Sequence, residues 1–175
     1  MVKYIKKNKN KDILYNNILL LSRNKLFYTN FDLSDVFQNR IHLIFIHISF
    51  LFIKAKLNTN NFMYKKFYQS MFDLIFTKID LNMREIGFGD VTINKNMRHL
   101  VKTFYNILLN TELYKNMTLN EKTIFLTKFF NFKKIEKTTI SKDLVNYFDK
   151  YQAFCFDLSS NSILRGELKF KFTNK

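Results

Sequence analysis

The densest set of chemistry-bearing side chains is Asp80-Leu81-Asn82-Met83-Arg84-Glu85-Ile86-Gly87-Phe88-Gly89-Asp90. Two carboxylates, Glu85 and Asp90, could in principle share acid–base work. No nucleophile, metal set or cofactor loop accompanies them, so a small helical enzyme is the weakest reading. Gly87-Phe88-Gly89 lacks the third glycine and the preceding strand of a phosphate-binding loop. His42, His47 and His99 show no ligand spacing. Ser22-x-x-Lys25 has the spacing of a Ser/Lys nucleophile pair but none of its partner motifs. A lone cysteine, Cys155, excludes both an intramolecular disulfide and a cysteine-based zinc site. Set between Phe154 and Phe156, it reads as a small buried hydrophobe. The expectation is a protein with no catalysis, no metal and no cofactor.

Recognition is what remains. Asp80 and Arg84 stand four apart with the acid first, the favourable order on a helix. Glu85 falls at the end of that helix, where the macrodipole disfavours a carboxylate by about 0.3–1 kcal/mol. An acid in that place suggests a partner. Asp90 stands just before the next helix, where an acid is favoured. Two readings stay open: a well-ended helix–turn–helix corner, or a corner that presents Arg84, Glu85 and Asp90 to another protein. His47 lies in Ile44-Phe45-Ile46-His47-Ile48 and reads as a core imidazole bonded to backbone or to a carboxylate. Arg40 opens that apolar run and calls for Asp35 or an acid of the corner, since a lone buried guanidinium is costly.

The elements that must position these residues are helices. Apolar positions recur at helical spacing, and the chain has no proline. The spacing predicts a first helix over Asp12–Arg23, with Tyr15, Ile18, Leu19 and Ser22 on one face and Phe27–Asn30 as an aromatic connector. A second helix, capped by Asp32 or Ser34, runs to Leu57 and is apolar all round, as suits the centre of a bundle. Asn58–Asn61 is a turn cluster. A third helix covers Phe62–Ile86 and stops at Gly87, because glycine tolerates the left-handed conformation of a helix end. A fourth spans Asn94–Tyr114. Thr118-Leu119-Asn120-Glu121 is a capping box and starts a fifth, which ends near Phe132. Lys133–Thr139 reads as a charged loop, and Ser141 opens a sixth helix to Leu158. In the tail, Leu168, Phe170 and Phe172 alternate with charges, so an extended segment is expected to lie on the bundle. The expected fold is all-α: a single domain over 12–172 of about six helices with a short extended C-terminal segment, preceded by a basic tail over 1–11.

Composition sets the boundaries. The 175 residues include 47% hydrophobic and 25% charged side chains, values of a globular chain rather than a disordered one. The net charge of +15 fits nucleic acid, ribosome or an anionic membrane surface. Part of it reflects AT-rich codons, which favour Lys, Asn, Ile, Phe and Tyr. The five arginines do not cluster and no base-reading motif is present, which argues against DNA. A basic helical RNA- or ribosome-binding module is the alternative reading. The longest apolar run, Ile41–Ile53, has 13 residues, short of the ~20 a spanning helix needs. The expected location is cytoplasmic.

At the corner the chain resembles a known family. Asp80-x-x-Met83-Arg84-Glu85-Ile86-Gly87-x-Gly89-Asp90, followed by Lys95 and Met97, is similar to the signature of the ubiquinol–cytochrome c chaperones. Tyr15, Ser22-Arg23 and Phe27-Tyr28 resemble that family's first helix and connector. Arg40 and the run to His47 resemble its second helix, Phe104-Tyr105 its Phe-Tyr pair, and Ile163-Leu164-x-Gly166-x-Leu168-x-Phe170 its glycine-containing tail. The Gly-Arg that usually follows the Phe-Tyr pair is Asn106-Ile107 here, and the glycine before Arg40 is Asn39. The resemblance implies a non-enzymatic, all-helical assembly chaperone that holds newly made cytochrome b for assembly of the ubiquinol–cytochrome c reductase. It also implies work beside the ribosome, a small partner subunit, and peripheral contact at the inner face of the membrane, or a mitochondrial matrix location if the source is eukaryotic. On this reading Asp80, Arg84, Glu85, Gly87, Gly89, Asp90 and Lys95 are client-binding candidates. Arg40, His47, Phe104 and Tyr105 are structural or binding candidates.

Overall fold

A computed structural model describes residues 2–58, 60–133 and 137–172. The elements are α1 (Val2–Ser22), α2 (Leu26–Thr29), α3 (Phe37–Asn58), α4 (Asn61–Glu85), α5 (Asp90–Leu113), a 3-10 turn (Tyr114–Asn116), α6 (Leu119–Phe129), α7 (Lys137–Asp157) and α8 (Ser160–Arg165). The architecture is all-α, as the periodicity requires. Among the described residues extended pairing is confined to one isolated antiparallel bridge, Leu33 with Phe132.

Everything is arranged around α3. From Ile41 to Ile53 every residue is buried, so this helix has no solvent face. Helices α1, α4, α5, α7 and α8 close around it. Each large side chain that it buries stabilises the fold by ~2–3 kcal/mol relative to exposure. Aromatic rings pack between the aliphatic side chains: Phe45 lies edge-on against Phe104 at 5.2 Å, Phe50 against Tyr114 at 5.3 Å, and His47 against Tyr151 at 4.6 Å.

Most polar groups of α3 find partners inside the bundle: His42 Nδ1 meets the Phe129 carbonyl at 2.6 Å, while its Nε2 has no partner among the described residues. Ser49 donates to the Phe45 carbonyl at 2.7 Å. His47 Nδ1 lies 2.6 Å from the Leu43 carbonyl, which can only accept, so this nitrogen carries the hydrogen. Nε2 then accepts from the Tyr147 hydroxyl at 2.9 Å. Burial holds the imidazole neutral and pushes its pKa down to about 4. The partners are a tyrosine and a backbone carbonyl, not a carboxylate.

Several boundaries differ from the sequence expectation. Helix α1 begins at Val2, so the residues expected as a basic tail are helical from the second residue on. Lysine and asparagine do not break a helix, and nothing in 2–11 is glycine or proline. The aromatic connector contains the short helix α2. Neither Asp32 nor Ser34 caps α3, which starts at Phe37. Asp32 takes a positive φ of 54°, and the segment after it runs beside residues 131–133 instead. The Ser34 N–H donates to the Asn131 carbonyl, and the Lys133 N–H donates to that of Asp32. Asn39 locks this pairing: its amide donates to the Ser34 and Asn131 carbonyls, and its oxygen accepts the Asn131 N–H. Helix α5 begins at Asp90 rather than Asn94, α6 ends at Phe129, and α7 begins at Lys137 rather than Ser141. Of the expected charged loop, residues 134–136 lie outside the described residues. Elsewhere local chemistry sufficed: Asn60 caps α4, and Thr118 and Glu121 form the capping box of α6 in both directions.

The C-terminal segment lies on the bundle. Helix α8 ends at Gly166, φ +78°, with Leu168 buried and Phe170 packed 5.1 Å from Tyr151. The Asn17 side chain donates to the Gly166 carbonyl at 2.8 Å. A Cβ at Gly166 would sit 2.7 Å from the Asn10 carbonyl oxygen and 2.9 Å from the Leu14 nitrogen. Gly166→Ala is therefore expected to cost at least ~2 kcal/mol in urea unfolding, through a left-handed backbone and a clash with the backbone of α1. Titration of His47 gives a second expectation. The unfolded chain takes up a proton near pH 6.5 and the folded one near pH 4. Stability should thus be full above pH 6.5 and fall by ~3 kcal/mol as pH drops toward 4. His42, also depressed by burial, adds in the same direction. Unfolding curves of His47→Asn across that range should show a flatter decline than the parent.

Candidate functional site

Helix α4 reaches the corner with a hydrogen-bond pattern that ends it cleanly. The Phe88 N–H donates to the Met83 carbonyl at 3.0 Å, and the Gly87 N–H to that of Arg84 at 2.9 Å. This is a Schellman closure, and it needs a left-handed residue at Gly87, whose φ is +96°. Gly89 follows with φ −73° and is the N-cap of α5. It has no side chain with which to cap; Asp90, in the first turn, supplies the negative charge that the helix start favours.

Arg84 ties the two helices. Its Nε donates to Asp80 at 2.8 Å within α4, and its Nη1 donates to Asp90 at 2.6 Å across the bend. The hydrogen bonds of Asp80, then those of Asp90, raise its pKa further above the arginine value. The three groups are mutually engaged yet face solvent: Arg84 is 50% exposed and Asp90 76%. An exposed cluster of this kind adds little to global stability. It links the last turn of α4 to the first residue of α5 across the bend. Glu85 and Lys95 are exposed, and among the described residues neither has an ion-pair partner.

Exposed apolar side chains adjoin this clamp in sequence: Ile86 is 61% exposed and Val91 85%, with Phe88 between them, and Val36 and Phe37 at the start of α3 are exposed as well. The start of α3 joins the corner: Phe37 and Ile41 share a cavity of about 270 Å³ with Met83, Phe88, His99 and Leu100. On their other side, a cavity of about 150 Å³ brings Arg40 beside Asn82 and Ile86. Arg40 itself pairs with Asp35 at 2.7 and 2.9 Å, the first of the two partners its position calls for. This contact holds the Asp35 carboxyl below its ordinary range.

The remaining candidates are elsewhere. His47 is fully buried in α3, so its role is structural. Phe104 is buried against Phe45, Phe52, Phe72 and Phe76. Its neighbour Tyr105 is half exposed on α5 beside Phe72. Sequence reasoning missed Val36, Phe37, Ile86, Phe88 and Val91. One signal was available: Val91 interrupts the polar side of α5, and Ile86 and Phe88 flank the glycine that ends α4.

The family model described as ubiquinol-cytochrome C chaperone matches residues 29–170, a stretch that contains the whole corner. The chain belongs to this family. The fold agrees: the crystal structure of the Cbp3 homolog from Brucella abortus superposes with a TM-score of 0.82 at 20% identity. The alignment covers 97% of this chain and 93% of that one. No curated protein matches the sequence. The protein is thus an all-helical member of a chaperone family for the cytochrome bc complex.

The two glycines of the corner should respond differently to substitution. Gly87→Ala forces a Cβ into the left-handed region and is expected to lower stability by about 1–2 kcal/mol. Gly89→Ser meets open space and supplies a capping hydroxyl, so stability should hold or rise by a few tenths of a kcal/mol. Equal losses in chemical denaturation would contradict this assignment.

Proposed function

We propose that this protein is a non-enzymatic assembly chaperone that binds newly made cytochrome b through the α4–α5 corner. The observation that carries the reading is the exposed apolar set Val36, Phe37, Ile86, Phe88 and Val91, gathered around a charged clamp and bordered by cavities on both sides of Phe37 and Ile41. A membrane protein held before insertion offers apolar helix surface, and a groove with aliphatic and aromatic walls is what covers such a surface. The clamp keeps these side chains in place without asking them to pack inward. Glu85 and Lys95 add free charges of both signs at the rim, where they would set orientation more than affinity. Family membership supports a client from the cytochrome bc complex. It does not favour the alternative of an RNA-binding module, for which two of the five arginines, Arg40 and Arg84, are already engaged with carboxylates.

Ile86→Glu combined with Val91→Glu should leave the helical circular-dichroism signal and the melting temperature unchanged, because both side chains are exposed. It should abolish co-purification of cytochrome b. Arg84→Ala with Asp90→Ala should also keep the fold and weaken the association by releasing the bend. A second exposed apolar patch, Leu113 and Ile124 beside Met117, is the comparison. If Leu113→Glu with Ile124→Glu releases cytochrome b while the corner variants retain it, the corner is not the client site.

A further inference from the structure

The end of the molecule opposite the corner carries a different surface. Helix α1 runs parallel to α4. Lys11 and Leu14 share a cavity of about 160 Å³ with Phe62, Met63 and Lys66, while Leu19 and Arg23 share another with Ile79 and Ile86. The Asn10–Leu14 turn of α1 therefore passes the α3–α4 turn. At that turn Leu57 is 65% exposed, Phe62 74% and Met63 45%. Side chains of this size are seldom left in water without a use when they protrude together.

Their surroundings carry an excess of positive charge. No carboxylate occurs between Asp35 and Asp73, and none precedes Asp12. The same stretches contribute Lys54, Lys56, Lys65 and Lys66 on one side, and Lys9 and Lys11 on the other. Lys65, Lys66 and Lys9 are exposed. The acids that come near are Asp12, next to Lys11 in sequence; Glu167, just after α8; and Glu112, which Lys56 neutralises at 2.7 Å. Lys54 is turned toward the Phe156 carbonyl and ring and takes no part.

We infer that the α3–α4 turn and the adjoining Lys9–Leu14 stretch of α1 form a docking surface for an anionic lipid bilayer, with Phe62, Met63 and Leu57 entering the headgroup layer and the lysines engaging lipid phosphates. Charge complementarity selects this occupant. Lys9, Lys11, Lys65 and Lys66 outnumber Asp12 and Glu167 at this rim, and an anionic surface suits that excess. Lysine, a strongly hydrated point charge on a flexible stem, suits a fluid phosphate surface better than a fixed carboxylate. No helix among the described residues is long and apolar enough to cross a membrane, so the contact is interfacial and reversible. The proposal does not depend on the client reading, since the two surfaces lie at opposite ends of α4.

The chain lacks tryptophan, which makes the test direct. Phe62→Trp in the full chain gives a single fluorescent reporter at the tip. Vesicles of phosphatidylcholine containing phosphatidylglycerol should shift its emission to the blue, and vesicles of phosphatidylcholine alone should not. In sedimentation with the anionic vesicles, Lys65→Glu with Lys66→Glu should weaken partitioning at least roughly 30-fold, about 5-fold for each lysine lost near the surface, with the repulsion of the added carboxylates on top. Lys78→Glu with Lys102→Glu makes the same change in net charge on the middle of α4 and α5 and should weaken it only a few-fold. Equal losses in the two pairs would mean diffuse attraction and overturn the proposal, as would an unshifted emission of the Phe62→Trp reporter. The Ile86→Glu, Val91→Glu variant should bind vesicles as the parent does, which separates failure of this surface from failure of the client site.

Discussion

A helix with no solvent face sets the terms for the whole molecule. Because Ile41–Ile53 is enclosed on all sides, the polar atoms that α3 carries there can be partnered only by the side chains and carbonyls that enclose them, and among the described residues His42 Nε2 finds none. That requirement fixes a tautomer at His47, brings Tyr147 of α7 to a defined place, and gives Ser49 a carbonyl of its own turn. The surrounding helices can then vary in length and register at the surface while their inner faces stay determined by α3. The high aromatic content follows the same logic. Rings that pack edge-on fill large volumes with few rotatable bonds, so they cost little conformational entropy for the surface they remove from water.

The helix pair α3–α4 gives the molecule two ends with different chemistry. Over its 25 residues α4 spans about 37 Å. At one end are the mixed charges of the Arg84 clamp with exposed Ile86 and Val91; at the other are lysines with exposed Phe62 and Met63. If the two proposals hold, the separation has a reason: gripping an apolar segment and resting on a bilayer both use exposed apolar side chains, and a single face could not do both at once.

How much of this was legible in the sequence depends on the range of the interaction involved. The capping box at Thr118 and the glycine stop at Gly87 were readable because both are closed by residues within one turn. The central position of α3 was readable from its uninterrupted apolar run. By contrast, Asp32 and Ser34 have the chemistry of helix caps, but their backbone pairs with residues 131–133, a contact that no local pattern encodes. Helix α8 is too short to show a period, and the reason for Gly166 lies in the backbone of α1. Within the corner, the spacing of Asp80 and Arg84 was enough to pair them. That Asp90 would turn back onto Arg84, and that Phe37 would join from α3, depended on the path of the chain and was not visible.

The contact between Gly166 and the first helix also orders events during synthesis. The Asn17 amide and the carbonyl it meets are 149 positions apart, so α1 leaves the ribosome long before the residue that covers it exists. Until then the inner face of α1 has only α3 and α4 to lean on, and the last layer of packing must close after translation of the tail. The chain thus passes through a period in which part of its own apolar surface is uncovered.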